Sequence, residues 1–320
     1  MAYKKILSID GGGIKGIFTA KFLAEIEDTL LTPLNKKICD YFDIIAGTST
    51  GAIIASALAL GIPAKKVLDL YLENASVIFK GYSQNFIFGS ILYIKGLLGY
   101  RYSNKNLKKV LQDVFKEAKI GNCKTRLLIP AFNVKRDDVE VFKTSHHTDF
   151  RIDYKEKIVD VLLATTAAPT YFPVYEFGER GKYIDGGIGA NNPGLIAVIE
   201  AITRCGWDRS KLKLLSFGAP AELNTGKRKF KNIDTINAFM RAESLYSQYI
   251  AGFLIGNNDN YKRIAPVVES EQVGLDNITK EAINTLLVLA RAEAQRNFAY
   301  INSNFLDIEK DEFIPCHKLQ

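Results

Sequence analysis

The chain of 320 residues predicts an α/β fold on a mainly parallel sheet, with a helical C-terminal third. Three observations carry this expectation. Short apolar runs alternate with stretches of helical period, the pattern of strands joined by crossover helices. Two of the predicted strands run into glycine-rich turns that open helices: Asp10-Gly11-Gly12-Gly13-Ile14-Lys15-Gly16 and Gly47-Thr48-Ser49-Thr50-Gly51. Beyond about residue 231 apolar residues recur at helical spacing almost to the end.

In order, Lys4 to Ile9 reads as a strand, and Phe18, Phe22, Leu23, Ile26 and Leu30 mark the helix after it. Phe42 to Ala46 is the second strand, and the small residues from Ala52 to Ala59 form a helix closed by Gly61-Ile62-Pro63. Ala64 to Ser76 is an amphipathic helix. Residues 79–102 are rich in aromatics but lack a clear period, and read as a loop-rich insertion. A helix through Leu107 and Leu111 has Ser103 or Asn104 as its N-cap. Arg126–Val134 and Val139–Lys143 form strands about a polar turn. Ile158–Ala168 is a helix stopped by Pro169; Tyr183-Ile184, the helix Ile196–Arg204 and the strand Lys211–Phe217 follow. Helices from Ile233 to about Ile255 and from Ile278 to about Asn302 are divided by a short strand at Arg263-Ile264. With no repeat or clear linker, the parse is one domain over 1–320: a core at about 4–220, the insertion at 79–102, and a helical part at about 231–310.

The composition, 47% hydrophobic and 24% charged, is that of a globular protein, and no segment is read as a transmembrane helix. A strand begins almost at the N-terminus, so no secretory signal is expected. Cys39, Cys123, Cys205 and Cys316 are scattered, without a disulfide framework or metal pattern, which suits a reducing cytosol. The net charge of +7 favours anionic partners without choosing among phospholipid, nucleotide and nucleic acid.

Strand, Gly-x-Ser-x-Gly and helix together make a nucleophile elbow, with Ser49 at its tip. A serine needs a base. The chain has three histidines, His146, His147 and His317. Only His317 falls late enough for the hydrolase chain order, and a frayed tail is a poor mount for a catalytic group. His146-His147 reads as a solvated turn. Asp185, between Tyr183-Ile184 and Gly186-Gly187, is the better candidate, although Asp-Gly-Gly alone also describes a plain turn. Gly11-Gly12-Gly13 presents backbone N–H groups at a helix start, with Lys15 beside them, and can receive an oxyanion or a phosphate. Gly11-x-Gly13-x-x-Gly16 also matches a dinucleotide fingerprint, but the acidic residue ending a second strand about 20 residues on is missing.

Taken in order, Asp10 to Gly16, Gly47 to Gly51 and Asp185-Gly186-Gly187 resemble the patatin-like phospholipase family. Ala164 to Pro173 and Asn191-Asn192-Pro193 add to the likeness, which covers most of residues 4–220. The resemblance implies a three-layer α/β/α sandwich and a phospholipase A-type acyl hydrolase that needs no metal or other cofactor. Ser49 would be the nucleophile and Asp185 its base, with Gly11, Gly12, Gly13 and Lys15 forming the oxyanion hole. The substrate would be membrane phospholipid, reached by peripheral contact at the inner face of the membrane from the cytoplasm. Phe86, Phe88 and Tyr93 would touch acyl chain or membrane, and the cationic run Lys227 to Lys231 would meet anionic lipid or nucleotide phosphate, or simply solvent. The whole chain is similar to bacterial anti-phage effectors of this family that are activated by cyclic di- or oligonucleotides. That likeness leaves the activator and a homo-oligomer open and expects no nucleic acid polymer. Two alternatives stand beside it: an unregulated lipase of the same fold, and a nucleotide-binding module on an inactive hydrolase fold.

Overall fold

The structure, a computed structural model, describes residues 3–78, 100–222, 232–256, 259–268 and 274–319. Phe86, Phe88, Tyr93 and the run Lys227–Lys231 lie outside the described residues.

The central sheet is built on parallel strands β1 (Lys4–Ile9), β2 (Ile44–Gly47), β3 (Arg126–Asn133), β7 (Leu212–Phe217) and β9 (Tyr261–Ile264). Antiparallel β4 (Asp138–Lys143), β5 (Tyr175–Glu176) and β6 (Lys182–Ile184) extend it beyond β3. The order is β5-β6-β3-β2-β1-β7-β9, with β4 also on β3. A separate pair, β8 (Ala221–Glu222) and β10 (Val267–Val268), lies beyond the ends of β7 and β9. The chain moves outward from β1 to β2 to β3, then returns to the other side of β1 with β7. The gap between the carboxyl ends of β1 and β7 is therefore the point where the strand order reverses, where open α/β sheets bind ligands.

Side chains of period two cover both faces of the sheet. Leu7, Ile45, Leu127 and Leu215 enter one core, while their neighbours Ile6, Ile44, Leu128 and Leu214 enter another. The first core is closed by α1 (Gly16–Ile26), α2 (Thr50–Ala59), α3 (Ala64–Ile78), α4 (Asn104–Phe115), α5 (Ile158–Thr165) and α9 (Lys280–Phe305). The second is closed by α7 (Gly194–Thr203) and α8 (Asn232–Ile255), which follow the short α6 (Gly187–Ala190). Both faces are buried across β1, β2, β3 and β7, which is why these parallel strands read as near-continuous apolar runs rather than alternating ones. The result is the three-layer α/β/α sandwich.

The end of α5 and the C-terminal tail differ from expectation. The helix α5 stops at Thr165, three residues before Ala168. Carbonyls at and just past its end are used elsewhere: Thr165 O accepts Gly186 N–H, and Ala167 O accepts Asp185 N–H. The C-terminal tail is not frayed. Lys310 N–H donates to Asp40 O, Cys316 N–H to Ser145 O, and Ser145 Oγ donates to His317 O at 2.6 Å.

Candidate active site

Ser49 has φ 53° and ψ −125°, a region that costs a non-glycine residue about 1–3 kcal/mol. The strain arises because β2 must turn within one residue into α2, and it leaves the Ser49 side chain at the helix N-terminus. Both flanking glycines are required by close approach. A Cβ on Gly47 would strike the Gly51 carbonyl, and one on Gly51 would strike the carbonyls of Ile9 and Asp10 at the end of β1. The elbow is thus wedged beneath the first glycine-rich turn.

Ser49 Oγ donates to Asp185 Oδ2 at 2.6 Å, and Asp185 Oδ1 accepts the Gly187 N–H at 2.7 Å. Asp185 is 2% exposed. Burial pushes its carboxyl up to about 6, against the lowering effect of the Ser49 and Gly187 hydrogen bonds. Among the described residues no cation or histidine pairs with it. The segment after α5 holds both partners: Thr165 Oγ1 accepts Ser49 N–H at 3.0 Å and donates to Pro130 O at 2.6 Å, while Ala167 O takes Asp185 N–H. This is the physical content of the Ala164–Pro173 stretch. Asn191-Asn192-Pro193 is likewise structural: Asn191 O accepts Gly11 N–H, and Asn192 Oδ1 accepts Gly194 N–H at 2.9 Å.

The glycine-rich turn is only partly free for an oxyanion. Gly11 N–H is taken by Asn191 O, and Gly12 N–H by Thr50 Oγ1 at 3.2 Å. The N–H groups of Gly13 and Thr50 have no acceptor among the described residues, and both residues line the pocket at Ser49. Lys15 departs from its expected place. Its ammonium donates to Pro220 O at 2.9 Å and lines a neighbouring cavity instead of the one at Ser49.

The pocket containing Ser49 and Asp185 is apolar, walled by Ile53, Tyr71, Leu107, Phe172 and Met240 among others. Its volume is about 70 Å³, well below the ~300 Å³ at which small-molecule sites begin.

The histidines are elsewhere. His317 Nε2 meets Thr148 O at 2.8 Å and its ring stacks on Tyr154. His146 corrects the reading of a solvated turn. Its side chain is fully buried, with Nδ1 3.0 Å from Thr144 Oγ1 and Nε2 3.0 Å from Glu200 Oε1. Burial lowers its pKa against the pull of Glu200, and Lys143 completes the cluster at 3.0 Å from Glu200. Among the described residues no group of three or more His, Cys, Asp or Glu is placed to hold a metal ion.

Sequence reasoning missed a buried ion pair and an exposed stripe. Arg263 grips Asp10 with both terminal nitrogens, at 2.8 and 2.6 Å, and so ties the end of β9 to the end of β1. On α8, Phe239, Leu245, Tyr246, Tyr249 and Phe253 are 60–76% exposed. Their spacing puts them on one side of the helix, opposite the buried Ala251 and Ile255. A helical period alone cannot say which face lacks a neighbour.

The sheet, the elbow and the apolar cleft in front of it define an α/β serine hydrolase architecture. The patatin-like phospholipase family model matches residues 7–198, and the chain belongs to that family, making it a hydrolase that acts on lipid esters. It is 33% identical to a cGAMP-activated phospholipase of Pseudomonas aeruginosa over 91% of this chain and 88% of that one. It is 31% identical to a cGAMP-activated phospholipase of Vibrio cholerae over 99% of this chain and 96% of that one. Patatin-like protein 2 of Arabidopsis thaliana is 34% identical over 61% of this chain and 52% of its own length.

Proposed function

We propose that the protein is a phospholipase of the A type, acting through a Ser49–Asp185 dyad and switched on by a cyclic dinucleotide. The observation that carries the dyad is the 2.6 Å hydrogen bond between Ser49 Oγ and Asp185 Oδ2 in a buried, apolar site. As Oγ attacks the ester carbonyl, Asp185 takes its proton and passes it to the leaving alkoxide, releasing lysophospholipid. The acyl-Ser49 is then attacked by water whose proton goes to Asp185 and returns to Ser49 Oγ, releasing fatty acid. The N–H groups of Gly13 and Thr50, joined by those of Gly12 and Gly11 once they leave their present acceptors, receive the oxyanion. Lys15 adds positive potential behind them.

Regulation is supported by the relatives named for cGAMP activation, which align over nearly the whole chain, whereas the plant relative aligns over 61%. It is also supported by the 70 Å³ pocket, which is too small for substrate and must open. Among the described residues no helix is long and apolar enough to cross a membrane. The aromatic stripe of α8 suits contact with a membrane surface, since Tyr and Phe favour the membrane interface. It starts beside the catalytic pocket, where Met240 and Ile188 line both that pocket and the groove under Phe239 and Tyr246. We read the whole chain as one domain.

The test is fatty-acid release from phosphatidylethanolamine–phosphatidylglycerol vesicles, with and without cGAMP. Wild type is expected to release fatty acid and lysolipid with cGAMP; Ser49→Ala and Asp185→Ala are expected to release neither. Robust release by a folded Asp185→Ala protein would reject the dyad. Equal release without nucleotide would reject the switch alone.

A further inference from the structure

Beside the constricted catalytic pocket lies a larger cavity of about 500 Å³, within the range of small-molecule sites. It opens at the carboxyl ends of β1, β7 and β9, at the point where the strand order reverses. Its polar wall holds Lys15, Arg241, Arg263, Ser244 and Gln248, with Asp10 the one carboxylate among its described lining residues. Asp10 is already neutralised by Arg263 and accepts a further hydrogen bond from Ser244 Oγ at 3.2 Å. Lys15, held by Pro220 O, and Arg241 are the other charged residues of the described lining. Arg241 is exposed and has no ion-pair partner among the described residues. Asn191 Oδ1 and Arg263 Nε are buried in the wall without a hydrogen-bond partner.

We propose that this cavity is the effector site: it takes a ligand with two phosphodiester charges and two bases, and its occupancy is read by the oxyanion turn. The proposal rests on the reading of the chain as a nucleotide-activated phospholipase. The two charges match Lys15 and Arg241, and the apolar part of the wall, Leu245 and Val267 among it, faces the bases. The coupling is physical. Gly12, Met240 and Leu275 line both the cavity and the catalytic pocket. Gly12 is packed so closely on Ala219 that a Cβ there would sit 2.5 Å from the Ala219 methyl. Lys15 holds the same segment through Pro220 O. A phosphate that draws Lys15 off Pro220 frees the 219–221 segment, releases Gly12 from Thr50 Oγ1, and shifts the wall that Met240 and Leu275 give to the pocket. One ligand thereby opens the acyl site and completes the oxyanion hole.

The experiment uses full-length protein. Binding of cGAMP, c-di-GMP and c-di-AMP is measured by equilibrium dialysis on Ser49→Ala, alone and combined with Arg241→Glu or Gln248→Ala. Activation is measured on vesicles with the catalytic serine intact, and nucleotide-free hydrolysis of p-nitrophenyl butyrate reports basal activity and folding. One nucleotide is expected to bind. Arg241→Glu is expected to weaken it by about tenfold or more, the scale of a lost charge-assisted hydrogen bond, and to raise the half-activating concentration equally while basal hydrolysis stays unchanged. Unchanged binding and activation in both variants would overturn the location while leaving nucleotide activation standing. Binding of none of the three, with vesicle hydrolysis already full, would remove the switch and this site with it. If Arg241→Glu instead weakens hydrolysis of phosphatidylglycerol-rich vesicles but not nucleotide binding, the charge reads a lipid headgroup and the proposal fails.

Discussion

Replacing Asp185 by Asn is expected to stabilise the fold above pH 6 while removing its activity. Burial raises the Asp185 carboxyl from the ordinary carboxylate range to about 6, so the native state binds that proton more tightly than the unfolded chain does. Its contribution to stability is complete below about pH 4, falls as the pH rises through the folded value, and is absent above it. A gap of about two pH units, at about 1.4 kcal/mol each, amounts to about 3 kcal/mol. Asn is neutral throughout and retains both contacts. Its Oδ1 can accept the Gly187 N–H, and its Nδ2 can donate to Ser49 Oγ in place of the bond the serine now donates. The variant and wild type should therefore be equally stable near pH 4 and diverge to about 3 kcal/mol by pH 8, a difference in Tm of about 6 °C at roughly 2 °C per kcal/mol. Thermal and urea unfolding at pH 4, 5, 6, 7 and 8 measures this directly. A variant less stable than wild type at pH 8, or a difference that does not change with pH, would refute the argument.

Three further outcomes are expected. Ser49→Gly should abolish hydrolysis yet raise stability by about 1 kcal/mol, because relief of the positive-φ strain exceeds the entropy cost of glycine; urea unfolding checks the sign. Arg263→Met should cost about 3–5 kcal/mol by leaving Asp10 buried and unpaired, and Asp10→Asn in the same chain should restore part of it. Tyr249→Asp with Phe253→Asp should reduce vesicle binding in a flotation assay and leave hydrolysis of a soluble short-chain ester unchanged.

Much of this was legible in the sequence because the relevant physics is local. The strand at Lys4–Ile9 ends where the glycines begin, and Gly47 and Gly51 stand where the chain must pass within contact of β1. With three histidines in the chain and none well placed in sequence, Asp185 stands out as the base from sequence alone. What could not be read was set by distant partners. His146 looks like one half of a polar turn until Glu200, 54 residues on, is placed against it. Arg263 is one cation among many until β9 lies beside β7 and brings it to Asp10. The motif places Lys15 at the oxyanion, but the carbonyl of Pro220 draws it toward the neighbouring cavity. The end of α5 also follows from tertiary demand, since residues that propensity would keep helical are used to hold Asp185.

The central claim is that a buried carboxylate alone activates Ser49, and the rate at which a fluorophosphonate labels Ser49 across pH tests it most directly. In wild type, with activator present, the rate should rise with pH, pass its midpoint near 6, where Asp185 loses its proton, and then level off. Asp185→Asn should label at least ~10³-fold more slowly at every pH, while His146→Gln and His317→Gln keep the wild-type profile. Labelling of Asp185→Asn at the wild-type rate, or a midpoint that moves with either histidine, would contradict it.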